Sequence, residues 1–307
     1  MTMAAMQSKS QASGNLMRRA AIASVAVSLF LVAIKALAYF ASGSVSVLAA
    51  LADSALDLFT ASLNFIAIRS ALTPADAEHR FGHGKAEPLA GLAQSAFIAG
   101  SALFLVIQSV IRLIAPQPFE HPALAFAIMA ISIVCAAALV GYQRHVVART
   151  GSVAISADRT HYTGDLLTNL GALIAIALVT FFSWARADPI IALLVAAFMI
   201  GNAWQVSRIS YDQLMDRELP DADRSKIKNI VMQHAEVRSL HDLRTRSAGV
   251  DTFIQVHIEL DPAMSLMRAH EVSDAVEHDL CAAFPRAEVI IHQDPAGVET
   301  PADLAQT

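Results

Sequence analysis

The chain is poor in charge and nearly devoid of cysteine. Only 16% of its 307 residues are Asp, Glu, Lys or Arg, whereas an average soluble domain carries about 25%. Its two cysteines, Cys135 and Cys281, lie far apart without a CxxC spacing, which points away from a disulfide and gives no sign of an oxidising compartment. No period of 20–50 residues indicates a solenoid, and no HExxH sequence marks a zinc hydrolase. What is abundant is apolar sequence. Hydrophobic residues make up 55% of the chain and the mean hydropathy is +0.49. Several stretches reach the roughly 20 apolar residues needed to cross a bilayer core.

Charge divides the chain. Residues 1–212 hold 13 Lys+Arg and 10 Asp+Glu, a net +3, whereas residues 213–307 hold 9 and 17, a net −8. A near-neutral apolar block therefore precedes an acidic tail long enough to fold as a small domain. The expected fold class is an α-helical membrane protein with six transmembrane helices, followed by a C-terminal cytoplasmic α+β domain of order α-β-β-α-β, an open-faced sandwich. The spans fall roughly at 20–41, 46–70, 87–114, 122–145, 153–182 and 188–211, separated by turn-like stretches such as SGS at 42–44, APQPFEHP at 115–122 and ARTGS at 148–152. The expected divisions are a disordered N-terminus over 1–15, a six-helix membrane block over 16–212, an acidic α+β domain over 213–297 and a flexible tail over 298–307; the resemblance given below implies transport for the second and metal binding with dimerisation for the third. The apolar run after Arg18 and Arg19 is too long for a signal peptide and has no clear cleavage site near its end, so it reads as a retained first span. Arg18, Arg19, Arg69, Arg80, Lys85, Arg144, Arg149 and Arg208 fall on one side of the membrane, with little beyond Arg112 and Arg186 opposite. This bias puts both termini in the cytoplasm.

In the tail, DADRSKIKNIVMQHAEV (221–237) reads as an amphipathic helix capped by Asp221, and a strand pair turns around Gly249. Ile254, Val256, Ile258 and Leu260 share one face of the second strand. A second helix over 266–284 and a strand over 287–294 complete the domain.

The stretch LAALADSALDLFTASLNFIAI (48–68) is apolar except at a few positions, chief among them Asp53 and Asp57. Residues i and i+4 share a helix face about 6 Å apart along the axis. An Asp near the centre of a span costs about 3 kcal/mol on insertion scales. The fifth span holds a pair with the same spacing, His161 and Asp165 in HYTGD. Placed side by side, the two spans gather three carboxylates and one imidazole, an oxygen and nitrogen set suited to Zn²⁺ or a similar divalent ion. The alternative is four unrelated polar residues that pack, cap or face a water crevice. Two matched pairs inside apolar spans favour the shared ion.

Two further clusters stand out. Asp76, His79 and His83 in ADAEHRFGHGK have a spacing that lets one turn grip an ion, although loop histidines are common without one. The tail holds six of the eleven histidines. His241 and His257 sit on neighbouring strands, His270 on the second helix, and His292 and Asp294 leave the same side of the last strand; they form a candidate binuclear site or ordinary polar filler. His234 and His278 read as surface residues. Lys35, near the outer end of span one, reads as a snorkelling residue, and Asn64 and Asn169 as hydrogen-bonding between helices.

The stretches LADSALDLFTASLNFIAIR, HRFGHGKAEPLAGLAQSAFIAGSALFL, ADRTHYTGDLLTN, HDLRTRSAG and VIIHQDP resemble the cation diffusion facilitator family, close to its bacterial ferrous-iron and zinc efflux transporters. The resemblance implies a proton-coupled exporter of Zn²⁺, Fe²⁺ or Cd²⁺ in the bacterial inner membrane. It implies a homodimer of six-helix transport units with metallochaperone-like cytoplasmic domains, and neither a catalytic cofactor nor a nucleic-acid partner. By position it makes Asp53, Asp57, His161 and Asp165 the transport site, and Asp76, His79 and His83 a loop site. His241, His257, His270, His292 and Asp294 become cytoplasmic sites, and Lys85 with Asp216 a charge interlock.

Acid–base chemistry gives the expected mechanism. Ligands shed protons to bind a metal and release it when reprotonated, and His161, with a reference pKa near 6.5, is the natural titrator. Alternating access would then exchange one dication for at least one proton. The rivals are a membrane-anchored metal sensor and a membrane zinc enzyme; the second lacks a Glu base inside the paired helices.

Overall fold

The computed structural model describes residues 3–42, 45–114, 123–182, 184 and 186–297. The expected separator at 115–122, the end of the SGS turn at 43–44 and the tail at 298–307 lie outside the described residues. Two compact units divide near Asp212.

The larger unit is all helical: α1 (Met3–Ser42), α2 (Val45–Ala71), α3 (Ala86–Ile114), α4 (Ala123–Thr150), α5 (Val153–Phe182) and α6 (Ala187–Leu214). Where disorder was expected to residue 15, α1 already begins at Met3. The segment holds no proline and one glycine, so nothing in it interrupts a helix propagating from the apolar span. Among the described residues, five stretches are long and apolar enough to cross a membrane: Ala12–Ala41, Ala50–Ala71, Ala86–Ile114, Phe126–Thr150 and Ala187–Leu214. The helix α5, 30 residues long, gathers Asp158, Arg159, His161 and Asp165 in its first half, and its second half is largely apolar.

The distribution of polarity is inverted relative to a soluble bundle. Phe40, Ile114 and Phe181 are each at least 80% exposed, whereas Gln143, Asp158, Glu87 and Asn64 are buried. Large apolar side chains facing outward all round suit a hydrocarbon surrounding, and the polar groups pair inside. Small residues allow close approach. A Cβ on Gly171 would stand 2.7 Å from Ile191 Cγ2, so the Ile191 side chain of α6 packs directly on the backbone of α5 there.

The first turn of α5 is pinned from two sides. Glu87 Oε1 of α3 accepts the Ala154 N–H at 3.3 Å, satisfying one of the donors that a helix start leaves orphaned. Asn64 Nδ2 of α2 donates to the Ala154 carbonyl at 3.4 Å, the interhelical bond expected of it. Asn169 instead donates to Asp165 O of its own helix at 2.8 Å. A second departure is Lys35. It does not reach outward; it is 9% exposed and donates to Ser54 Oγ at 2.5 Å.

The smaller unit holds α7 (Asp221–Met232), β1 (Ser239–Ala248), β2 (Asp251–Leu260), α8 (Leu266–Ala283) and β3 (Ala287–Pro295). The sheet order is β1-β2-β3, with β1 antiparallel and β3 parallel to the central β2. Gly249, at φ +64°, supplies the tight turn between β1 and β2. The inward row Ile254, Val256, Ile258 and Leu260 packs on Ala269, Val272, Val276 and Leu280 of α8 and on Ile227 and Val231 of α7. The helix α7 is capped at Pro220 rather than Asp221, which is its first helical residue and favours the positive end of the helix dipole. For α8, Ser265 Oγ accepts the Arg268 N–H at 3.3 Å.

Ile258 is fully buried at the centre of this core. Ile258→Ala is expected to destabilise the unit by about 2–5 kcal/mol. Hydrogen exchange of the β2 amides in the full-length protein measures this; unchanged exchange would contradict the core described.

Candidate functional site

The geometry between α2 and α5 follows from their pinned ends. Asp57 on α2 and His161 and Asp165 on α5 converge, with one ligand atom from each within 4.8 Å of the others. His161 Nε2 lies 3.0 Å from Asp57 Oδ1 and 3.6 Å from Asp165 Oδ2. The imidazole is buried and the two carboxylates are partly so. This trio has the ligand types and spacing to grip one divalent ion. Asp53, one turn earlier on α2, is exposed and does not join the trio within that distance.

One turn before His161 lies a group absent from the expected sites. Asp158 is fully buried, and its carboxylate accepts from three other helices: Ser24 Oγ of α1 at 2.5 Å, Gln143 Nε2 of α4 at 2.6 Å and Gln94 Nε2 of α3 at 3.2 Å. Gln143 also donates to Ser24 Oγ at 3.0 Å, and the Tyr162 hydroxyl lies 2.5 Å from Ser28 Oγ. A carboxylate without a cation beside it is tolerated in such a place because donors converge on it. The knot fixes α5 against three neighbours, and with it the direction of His161 and Asp165. The third carboxylate in ADRTHYTGD was visible in the sequence; its partners at 24, 94 and 143 carry no local signal.

After α2, Asp76, His79 and His83 form a second group within 4.8 Å. Asp76 Oδ1 accepts the backbone N–H groups of His79 at 2.6 Å and Glu78 at 2.9 Å, an Asx turn. These bonds, that of His79 foremost, hold the Asp76 carboxyl below its ordinary pKa and keep it ionised at neutral pH. His79 Nδ1 and His83 Nε2 stand 3.4 and 3.5 Å from its two oxygens. The spacing thus gathers all three residues in one turn, with Asp76 and His79 open to solvent.

In the smaller unit the sheet register does the gathering. His241 pairs opposite His257 across β1 and β2, and His257 opposite His292 across β2 and β3. Three imidazoles therefore form a row, with ring centroids 5.1 and 4.5 Å apart. Asp294 reaches all of them: its Oδ2 lies 2.9 Å from His257 Nδ1 and 3.4 Å from His241 Nε2, and its Oδ1 lies 3.2 Å from His292 Nε2. A β-bulge follows His241, with Asp242 at φ +46° and held by both Arg244 donors at 3.0 Å. Glu259, not anticipated, stands 3.8 Å from His241 Nδ1. His270 does not belong to this group; on exposed α8 its Nε2 faces Asp274 at 3.5 Å. His234, in the turn after α7, meets Asp279 of α8 at 3.2 Å. Of the expected interlock pair, Asp216 Oδ1 accepts from Arg246 at 3.3 Å within its own unit, and Lys85 belongs to the other unit.

A family model described as the cation efflux transmembrane domain matches residues 21–215, and another described as the cation efflux protein cytoplasmic domain matches residues 219–296. The cation-efflux pump FieF of Salmonella paratyphi A is 45% identical over 288 residues, covering 94% of this chain and 96% of the relative. The pump of the same name from Salmonella arizonae is 44% identical with the same coverage. A solved structure of a putative zinc transporter, CzrB, in a zinc form covers 28% of this chain and 99% of its own, at 28% identity and a TM-score of 0.27.

Asp294 is the shared neighbour of the three sheet histidines. Asp294→Ala is expected to weaken divalent-ion binding to the smaller unit by at least about tenfold, the scale of losing a ligand or its support. His270→Ala is expected to leave it unchanged. Titration calorimetry with Zn²⁺ on full-length protein carrying Asp57→Ala checks both; equal effects would contradict the grouping.

Proposed function

The chain belongs to the cation diffusion facilitator family, and we propose that its cargo is a divalent transition-metal ion of the Zn²⁺, Fe²⁺ and Cd²⁺ class, exchanged for protons at Asp53, Asp57, His161 and Asp165. It is a multi-pass membrane cation efflux transporter and not an enzyme. The observation that carries the reading is the approach of His161 to both Asp57 and Asp165 between α2 and α5. Four oxygen and nitrogen donors fit a d¹⁰ or similar dication, and its charge offsets carboxylates that hydrocarbon would otherwise penalise. Asp53 completes the set when α2 turns by a small angle, since i and i+4 share a face.

All six long helices cross the membrane. The polarity of α5 is compatible with a span because its polar residues face the other helices: Asp158, His161 and Tyr162 are all buried. Basic residues at the loops between α2 and α3 and after α4 place those loops, and both termini, in the cytoplasm of a bacterial inner membrane.

The site opens alternately to the two sides. On the cytoplasmic side the deprotonated ligands take the ion; on the acidic outer side protons compete for the same lone pairs and displace it. Asp76, His79 and His83 offer a cytoplasmic collecting site. The acidic smaller units pair in a homodimer, where cations at His241, His257, His292 and Asp294 offset mutual repulsion and regulate transport.

Zn²⁺ flux into proteoliposomes of the purified protein tests the assignment. Asp57→Ala is expected to reduce flux at least about a hundredfold while the dimer survives, as for removal of a ligand made essential by the reaction. Acidifying the release side is expected to speed export and to be accompanied by proton movement the other way. Undiminished flux in the variant removes the site, and flux without counter-movement of protons removes the antiport.

A further inference from the structure

Lys35 is the one buried Lys or Arg among the described residues. An ammonium inside hydrocarbon costs about 3 kcal/mol on insertion scales and ordinarily reaches for the interface. Here the side chain turns inward and donates to Ser54 Oγ at 2.5 Å, and Ser54 is itself 1% exposed. A neutral hydroxyl satisfies one N–H but does not balance the charge. Ser54 directly follows Asp53 and stands three residues before Asp57, so this bond sets the ammonium beside the ligand-bearing stretch of α2. The carboxylates of that stretch are the charges available to balance it.

We propose that Lys35 is a fixed counter-charge of the transport site, balancing part of its negative charge when no ion is bound and limiting how tightly the dication is held. This rests on the assignment of Asp53, Asp57, His161 and Asp165 as ligands. The formal charges agree with it. Three carboxylates and one ammonium leave −2, which one dication neutralises with His161 uncharged. Asp158 stands outside this balance because its oxygens are covered by Ser24, Gln94 and Gln143. Without Lys35 the site would hold the ion with an uncompensated negative charge. A dication in a site of net −3 binds more tightly and leaves more slowly than in a site of net −2. Lys35 therefore trades affinity for turnover, and its place on α1 gives that helix a part in the release step.

The test is Zn²⁺ flux against Zn²⁺ concentration in proteoliposomes of full-length protein. Lys35→Met is expected to lower KM by at least about tenfold, the scale of removing one charge from a poorly screened site, and to lower the maximal rate with it. Lys35→Arg, which keeps the charge, is expected to stay within about twofold of the parent on both measures. Ser54→Ala removes the hydrogen bond but keeps the charge, and is expected to leave KM unchanged. Should Lys35→Met not reach the membrane, Lys35→Gln carries the same expectation while still offering Ser54 a partner. An unchanged KM in the neutral variants overturns the proposal, as does a Ser54→Ala variant that reproduces their shift. Asp57→Asn is run alongside: if it still transports, the ligand assignment fails, whatever Lys35 does.

Discussion

A carboxylate in the interior of a membrane bundle needs either a cation or a full set of donors, and this requirement organises the helical unit. Asp158 is met by donors from three other helices. Asp57 and Asp165 are met by the single imidazole of His161 between them. The first solution is complete; the second leaves two carboxylates to share one imidazole. Both lie within two turns of one helix, so the knot sets the position of the second site. Glu87 and Asn64 at the start of α5 serve the same end, since rotation of α5 would cost those bonds as well.

The smaller unit solves a different problem with sheet geometry. Period-2 alternation sends Ile254, Val256, Ile258 and Leu260 into the core and leaves Gln255, His257 and Glu259 on the other face. Register then brings His241, His257 and His292 into one row, and Asp294 beside them. A register slip of one residue would bury the histidines and break the row. The core that stabilises this unit is therefore also what assembles its ligand cluster.

Much of this was legible from local pattern. The H-x₃-D spacing anticipates the approach of His161 and Asp165, whereas of the D-x₃-D pair only Asp57 joins them and Asp53 stays outside; alternation anticipates the core face of β2. The order of helices and strands in the tail followed from turn residues such as Gly249. What stayed hidden depends on contacts between distant parts of the chain. Two of the three side-chain partners of Asp158, Gln94 and Ser24, are 64 and 134 residues away. At Lys35 periodicity cannot tell which side of a nearly uniform apolar helix faces its neighbours, and in place of the expected snorkelling the side chain bonds Ser54. His270 was grouped with the other tail histidines by composition, but α8 carries it away from the sheet row. The cap of α7 went to Pro220 because an Asp followed by a helix reads the same one position either way.

The central claim is that α2 and α5 share one dication through carboxylates and a single imidazole. X-ray absorption at the zinc edge measures this directly, on full-length protein whose loop and tail clusters are removed by Asp76→Ala and Asp294→Ala. The account predicts a four-coordinate shell of oxygen and nitrogen at about 2.0–2.2 Å with the outer-shell signature of one imidazole, lost with Asp57→Ala. Two or more imidazoles, or a sulfur shell, would contradict it.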